Sequence, residues 1–215
     1  MKLYTHGGGE KVAVLLHGMA SSSQSWKNLV DDLLKLDYTV HTPDLPGHGY
    51  ASRGRAFYSM ERWETMLLDH VERTDLLVGH SMGGLLALKA RRKLNAVKTV
   101  VIDPVLRFPV GPLQLITQQV FGIQEVGVTR KAQTVSKDMS LWDRSAVRAL
   151  VSPKHVPLPD DSVMLLRPKN SFVSPLMLVN KAPAMKVVTM EKVGHNLHHD
   201  DYPRFFNELK SFALI

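Results

Sequence analysis

Val78-Gly79-His80-Ser81-Met82-Gly83-Gly84 is the stretch on which the fold turns. Its Gly-x-Ser-x-Gly core follows an apolar run at 76–78 and opens an Ala/Leu-rich segment over 82–94. Strand, sharp turn and helix in that order are the context a nucleophile elbow requires. Such a turn forces the serine into a strained backbone conformation, and Gly79 and Gly83 remove Cβ atoms that would collide beside it. A purely structural Gly/Ser turn would share the five letters, so the reading depends on what surrounds them.

The same alternation runs outward in both directions. Short runs rich in Val, Ile and Leu at 12–16, 39–42, 76–78, 99–102, 163–166 and 186–189 read as buried strands. Between them apolar residues recur at helical spacing. Trp26, Leu29, Val30, Leu33 and Leu34 follow Ser25, while Met60, Trp63, Met66, Leu67 and Val71 follow Ser59, each serine a predicted N-cap. A last helix is predicted over 202–212, with Phe205, Phe206, Leu209 and Phe212 facing inward. The fold class is α/β, a mostly parallel sheet flanked by helices. With 215 residues, 44% apolar and 22% charged, one domain spanning 1–215 is expected. The interval 104–159 breaks the rhythm with Pro, Gly and short amphipathic pieces. It is expected to be a short helical cap or lid over the sheet, the alternative being a merely structural excursion.

Composition removes several classes of function. The chain has no cysteine, which excludes disulfides, thiolate nucleophiles and Cys-ligated metal centres. The net charge is +7, yet the one dense basic cluster, Arg91-Arg92-Lys93, ends a predicted helix, where cations complement the macrodipole. No basic motif is interleaved with aromatics, so nucleic acid is not an expected partner. The apolar runs at 12–16 and 85–88 are too short to cross a bilayer, and no membrane partner is expected. The opening Met1-Lys2-Leu3-Tyr4-Thr5-His6 contains no apolar signal region, so a cytoplasmic enzyme is the expectation. Oligomeric state is not legible in the pattern.

Leu16-His17-Gly18, Asp44-Leu45-Pro46-Gly47-His48-Gly49, Gly79-His80-Ser81-Met82-Gly83-Gly84 and Gly194-His195 follow one another along nearly the whole chain. In that order they resemble the α/β-hydrolase fold family, in particular its esterase and C–C hydrolase branch. The cap is expected between the sixth and seventh strands. The resemblance implies that Ser81 is the nucleophile and that His195, in the loop after the last strand, is its general base. His198 and His199 compete for that role. With Asp200 and Asp201 they match no recognised ligand spacing, so no metal is expected, and the two aspartates read as helix-start residues. The oxyanion hole would use the backbone N–H groups of Met82, after the nucleophile, and Met19, in the loop after the 12–16 strand. His6-Gly7-Gly8-Gly9 copies the lipase oxyanion tetrapeptide but precedes that strand, and is read as a hairpin turn.

The acid departs from the family pattern. The loop after the penultimate strand reads Arg167-Pro168-Lys169-Asn170-Ser171, with no carboxylate. Asp103 stands instead at the carboxyl end of the 99–102 strand and keeps the chain order Ser, Asp, His, with Ser171 as a candidate hydrogen-bond partner. A buried structural Asp before the turn-forming Pro104 is the competing reading, and Asp160 and Asp161 are reserve candidates. The expected reaction is hydrolysis of small to medium carboxylic esters without a cofactor. Leu113, Ile116 and Phe121 of the insertion are candidates for an apolar substrate pocket. A C–C hydrolase, thioesterase or lyase using the same serine and histidine, or a non-catalytic small-molecule receptor, is the alternative.

Overall fold

The computed structural model describes residues 1–105, 143–150, 156–171, 180 and 182–214. Among these residues seven strands pair into one sheet: β1 (Lys2–His6), β2 (Lys11–Leu16), β3 (Tyr38–Asp44), β4 (Leu76–His80), β5 (Lys98–Ile102), β6 (Val163–Pro168) and β7 (Lys186–Met190). Their spatial order is β1-β3-β2-β4-β5-β6-β7. Only the β1–β3 pairing is antiparallel. Six strands coincide with the predicted apolar runs, each extended by one to three residues.

Those runs lack polar alternation because both faces are covered. Val14, Leu16, Leu77, Val101 and Leu165 pack with Trp63 and Leu67 of α2 (Met60–Leu68) and Leu85 and Leu86 of α3 (Met82–Ala90). Their strand neighbours Ala13, Leu15, Leu76, Val78, Val100, Ile102 and Leu166 point the other way. They meet Leu29 and Leu33 of α1 (Lys27–Leu34) and Phe205 and Leu209 of α5 (Tyr202–Ala213). A short helix, α4 (Leu197–Asp200), precedes α5. Ser59 Oγ accepts from Arg62 N at 3.1 Å, as an N-cap should. At α1 the predicted cap shifts. A 3₁₀ turn, Ser23–Trp26, comes first and is capped by Ser22, while the Ser25 hydroxyl donates to Ser22 O at 2.9 Å.

β1 is the strand that local pattern does not reveal. It is a half-exposed edge whose partner, β3, lies some thirty-five residues away. The expected hairpin at His6-Gly7-Gly8-Gly9 is therefore incorrect, because β1 and β2 flank β3 and do not pair. The glycines serve a crossing. A Cβ on Gly9 would stand 2.0 Å from Asp37 O, and one on Gly7, whose φ is +76°, 2.8 Å from Tyr38 O. The connection squeezes past the start of β3, and side chains would block it.

The basic cluster is largely structural. Arg91 is buried, donating to Asp160 at 3.0 Å and to Leu158 O at 2.8 Å, and Lys93 pairs with Glu64 at 3.0 Å. Asp160 thereby ties the end of α3 to the approach to β6, at the end of that strand opposite Ser171. The expected insertion, 104–159, lies between β5 and β6 of the described sheet, and not between a sixth and a seventh strand, because the described sheet has five strands before it. Its described part includes a 3₁₀ helix, Arg144–Leu150, whose Ala146, Ala149 and Leu150 join the α2–α3 side of the core. Leu113, Ile116 and Phe121 lie outside the described residues. No helix among the described residues is long and apolar enough to cross a membrane.

Helix and sheet approach closely at Gly83, where an added Cβ would lie 2.2 Å from Leu16 O and 2.5 Å from His17 O. Both are backbone atoms and cannot swing away. Gly83→Ala is expected to destabilise the protein by about 3 kcal/mol, read as a lower urea midpoint at unchanged m-value.

Candidate active site

Six chain segments bring their chemistry to the carboxyl end of the parallel strands. At the centre is Ser81, between β4 and α3, with φ 52° and ψ −113°. Its N–H extends the β4–β5 ladder by donating to Ile102 O at 2.8 Å, and its carbonyl accepts from Leu85 N and Val105 N, each at 3.2 Å. The glycines make this fold-back feasible. A Cβ on Gly79 would come within 2.3 Å of Gly83 O, and one on Gly84 within 2.9 Å of Pro104 Cβ.

Asp103 continues β5 by one residue, with its N–H donating to Leu166 O at 2.8 Å and its φ at +40°. Its side chain is wholly buried. Oδ2 accepts from His195 Nδ1 at 2.8 Å, and Oδ1 accepts from Ser171 Oγ at 2.5 Å. The structure thus brings together Asp103, His195 and Ser171, which lie 92 and 68 residues from Asp103 along the chain. Ser171 reaches the carboxylate from the turn after β6, closed by Ser171 N donating to Pro168 O at 3.2 Å. With Nδ1 donating to the carboxylate, Nε2 is the basic nitrogen of the neutral His195 ring. The His195 loop is held by Asp200, whose carboxylate accepts from Gly194 N at 2.8 Å. Asp201 caps α5 by accepting from Arg204 N, while Asp200 has this different task.

The loop after β2 faces the serine, since a Cβ on Gly18 would lie 3.3 Å from Ser81 Cβ. Met19 is half-buried in that loop, and Met82 begins α3, where first-turn amides have no partner within the helix. His17 anchors the loop. Its Nδ1 donates to Gly18 O at 2.8 Å and its Nε2 accepts from Leu45 N at 3.0 Å, which fixes one neutral tautomer. The Asp44–Gly49 loop is braced from below by Asp44, which accepts from Ser23 N at 2.8 Å and Tyr50 N at 2.9 Å. The sequence singled out none of these braces; two of them, His17–Leu45 and Ser23–Asp44, join residues 28 and 21 apart that meet only at this end of the sheet.

His198 and His199 do not meet Asp103. His198 is buried between Trp26, at 5.0 Å ring to ring, and His80, at 4.5 Å. Burial pushes the pKa of His17 below the ordinary histidine value and those of His48, His80 and His198 well below it. Folding thus favours the neutral rings. Their contribution is complete above about pH 6.5, the ordinary value of the unfolded chain. It is lost as pH falls from there toward the depressed folded values. The melting temperature is expected to fall steadily between pH 7 and pH 5, and less steeply in a His198→Phe variant, as thermal denaturation monitored by circular dichroism would show.

A profile of the Alpha/beta hydrolase family matches residues 13–209, from β2 through most of α5. Over 105 residues the chain is 31% identical to pimeloyl-[acyl-carrier protein] methyl ester esterase of Edwardsiella ictaluri (strain 93-146), across 47% of this chain and 40% of that protein. The chain therefore matches less than half the length of that relative. Among solved structures, the esterase EaEST from Exiguobacterium antarcticum superposes with a TM-score of 0.79 at 18% identity, over 99% of this chain and 96% of that one. The bromoperoxidase from Bacillus anthracis gives a TM-score of 0.75 at 19% identity, over 99% and 95%. At such identities these two likenesses concern the fold. Because the family profile spans nearly the whole chain, sheet, elbow and histidine loop together, the chain belongs to the alpha/beta hydrolase family.

Proposed function

We propose that the protein is a serine hydrolase that cleaves small to medium carboxylic esters through an acyl-enzyme intermediate. The observation that carries this reading is the 2.8 Å hydrogen bond between the buried carboxylate of Asp103 and His195 Nδ1, made one strand away from a serine in elbow conformation. Ser81 Oγ attacks the ester carbonyl and passes its proton to His195 Nε2. The backbone amides of Met19 and Met82 stabilise the oxyanion. Collapse of the tetrahedral intermediate expels the alkoxide, which leaves as the alcohol with the proton from Nε2. Water then attacks the acyl-enzyme, giving up a proton to Nε2, and the acid departs as that proton returns to Ser81. Asp103 keeps Nδ1 protonated and steadies the imidazolium, and Ser171 orients the carboxylate.

The activity for which the Edwardsiella relative is named, methyl ester cleavage, supports an ester as the substrate class. In this reading Leu113, Ile116 and Phe121 of the cap contribute the apolar pocket, no cofactor takes part, and the partner is a small-molecule ester and not nucleic acid or a membrane. A cytoplasmic carboxylesterase is the corresponding biological role.

Initial rates on p-nitrophenyl acetate, butyrate and octanoate test the proposal. Turnover is expected on at least one ester and is expected to vanish in Ser81→Ala; turnover that survives in that variant overturns the assignment. Asp103→Asn should lower kcat by about 10⁴-fold. Ser171→Ala, which removes one of the two side-chain hydrogen bonds described for the carboxylate, should lower kcat by about tenfold with KM unchanged.

A further inference from the structure

We infer that His80, the residue immediately before the serine, is a positioning residue that holds His195 in place through its backbone. The inference rests on the reading of Ser81 and His195 as nucleophile and base. It starts from sheet order. β5 and β6 stand between β4, which delivers Ser81, and β7, which delivers His195. Ladder register between adjacent strands therefore cannot set the distance from nucleophile to base. That distance has to be set across the top of the sheet.

Asp103 holds the His195 ring at Nδ1, and Asp200 holds the neighbouring Gly194 N–H. His80 adds a contact at the backbone of His195 itself. Its Nε2 lies 2.9 Å from the carbonyl oxygen of His195. A carbonyl only accepts, so Nε2 carries the proton and donates it. The two rings also face each other, with centroids 4.7 Å apart at 49°. Because His80 directly precedes Ser81 on β4, the bond links nucleophile and base loop with no intervening chain.

The surroundings of His80 admit little movement. His198 packs against it at 4.5 Å, and the loop after β2 lies against its other nitrogen, where a Cβ on Gly18 would come within 2.6 Å of Nδ1. The groups that influence its charge are His195, His199 and His17, and burial, the largest influence, keeps the ring neutral. A neutral ring can stand beside His195 when the latter becomes an imidazolium without adding a second positive charge. The elbow, the base loop and the oxyanion loop thus meet on one imidazole.

The test compares His80→Leu and His80→Met, which remove the donor, with His80→Gln, whose side-chain amide can still donate to the His195 carbonyl. On p-nitrophenyl butyrate the apolar variants should lose about 10- to 100-fold in kcat, the scale of a small misplacement of a reacting group, with KM moved less than about twofold. The Gln variant should recover to within about threefold of the parent. Thermal melts of all three separate this pattern from a general loss of folded protein. Equal kcat in the Leu, Met and Gln variants, or parental kcat in either apolar variant, overturns the inference.

A second readout does not require turnover. The downfield proton resonance of His195 Nδ1–H, hydrogen-bonded to Asp103, should broaden or vanish in the apolar variants and persist in His80→Gln. An unchanged resonance in His80→Leu and His80→Met overturns the positioning role. If the parent shows no Ser81-dependent turnover, the serine hydrolase reading fails separately, and the resonance still decides whether His80 positions His195.

Discussion

The backbone of Ser81 is the constraint to which the rest of the molecule is fitted. Its φ and ψ of 52° and −113° lie outside the regions a serine ordinarily occupies, at a cost of about 1–3 kcal/mol. Three hydrogen bonds, to Ile102 O and from Leu85 N and Val105 N, offset it, each contributing about 1 kcal/mol. They require β5 to lie beside β4, α3 to begin at once, and the chain after β5 to turn back over the serine. Close contacts at Gly79, Gly83 and Gly84 allow all three.

The turn after β5 that steadies Ser81 also places Asp103. The same five residues, Val101 to Val105, end a ladder, present a carboxylate and return a hydrogen bond to the serine. Asp103 sits one strand from Ser81 and is buried, so its hydrogen bonds to His195 and Ser171 act in a medium of low dielectric. The hydroxyl of Ser171, in the turn after β6, donates to the carboxylate oxygen opposite the one that His195 uses.

Histidines brace this end of the sheet at several points. His17 joins the loops after β2 and β3, His80 joins the elbow to the His195 loop, and His198 fills the space between His80 and Trp26. A neutral imidazole suits such work because it donates from one nitrogen and accepts at the other while presenting apolar ring faces. In the densest basic cluster of the chain, by contrast, Arg91 is spent on an internal tie to Asp160 and Leu158 O.

By itself the sequence determined the six parallel strands, the elbow and the identity of Ser81, Asp103, Ser171 and His195 as residues to watch. Buried strands announce themselves as unbroken apolar runs, and an elbow needs glycines at fixed local spacing. The edge strand β1, the route of the Gly7–Gly9 connection and the cap at Ser22 were decided by tertiary structure, since each depends on what the chain meets at distant points such as Asp37, Tyr38 and Asp44. The Gly194-His195 pattern pointed to His195 over His198 and His199, and the packing of β7, α4 and α5 against the sheet sets its ring on Asp103 and that of His198 against Trp26. Local chemistry is written in neighbours along the chain, whereas partners 68 to 115 residues apart, as in Ser171–Asp103 and His80–His195, are chosen by strand order.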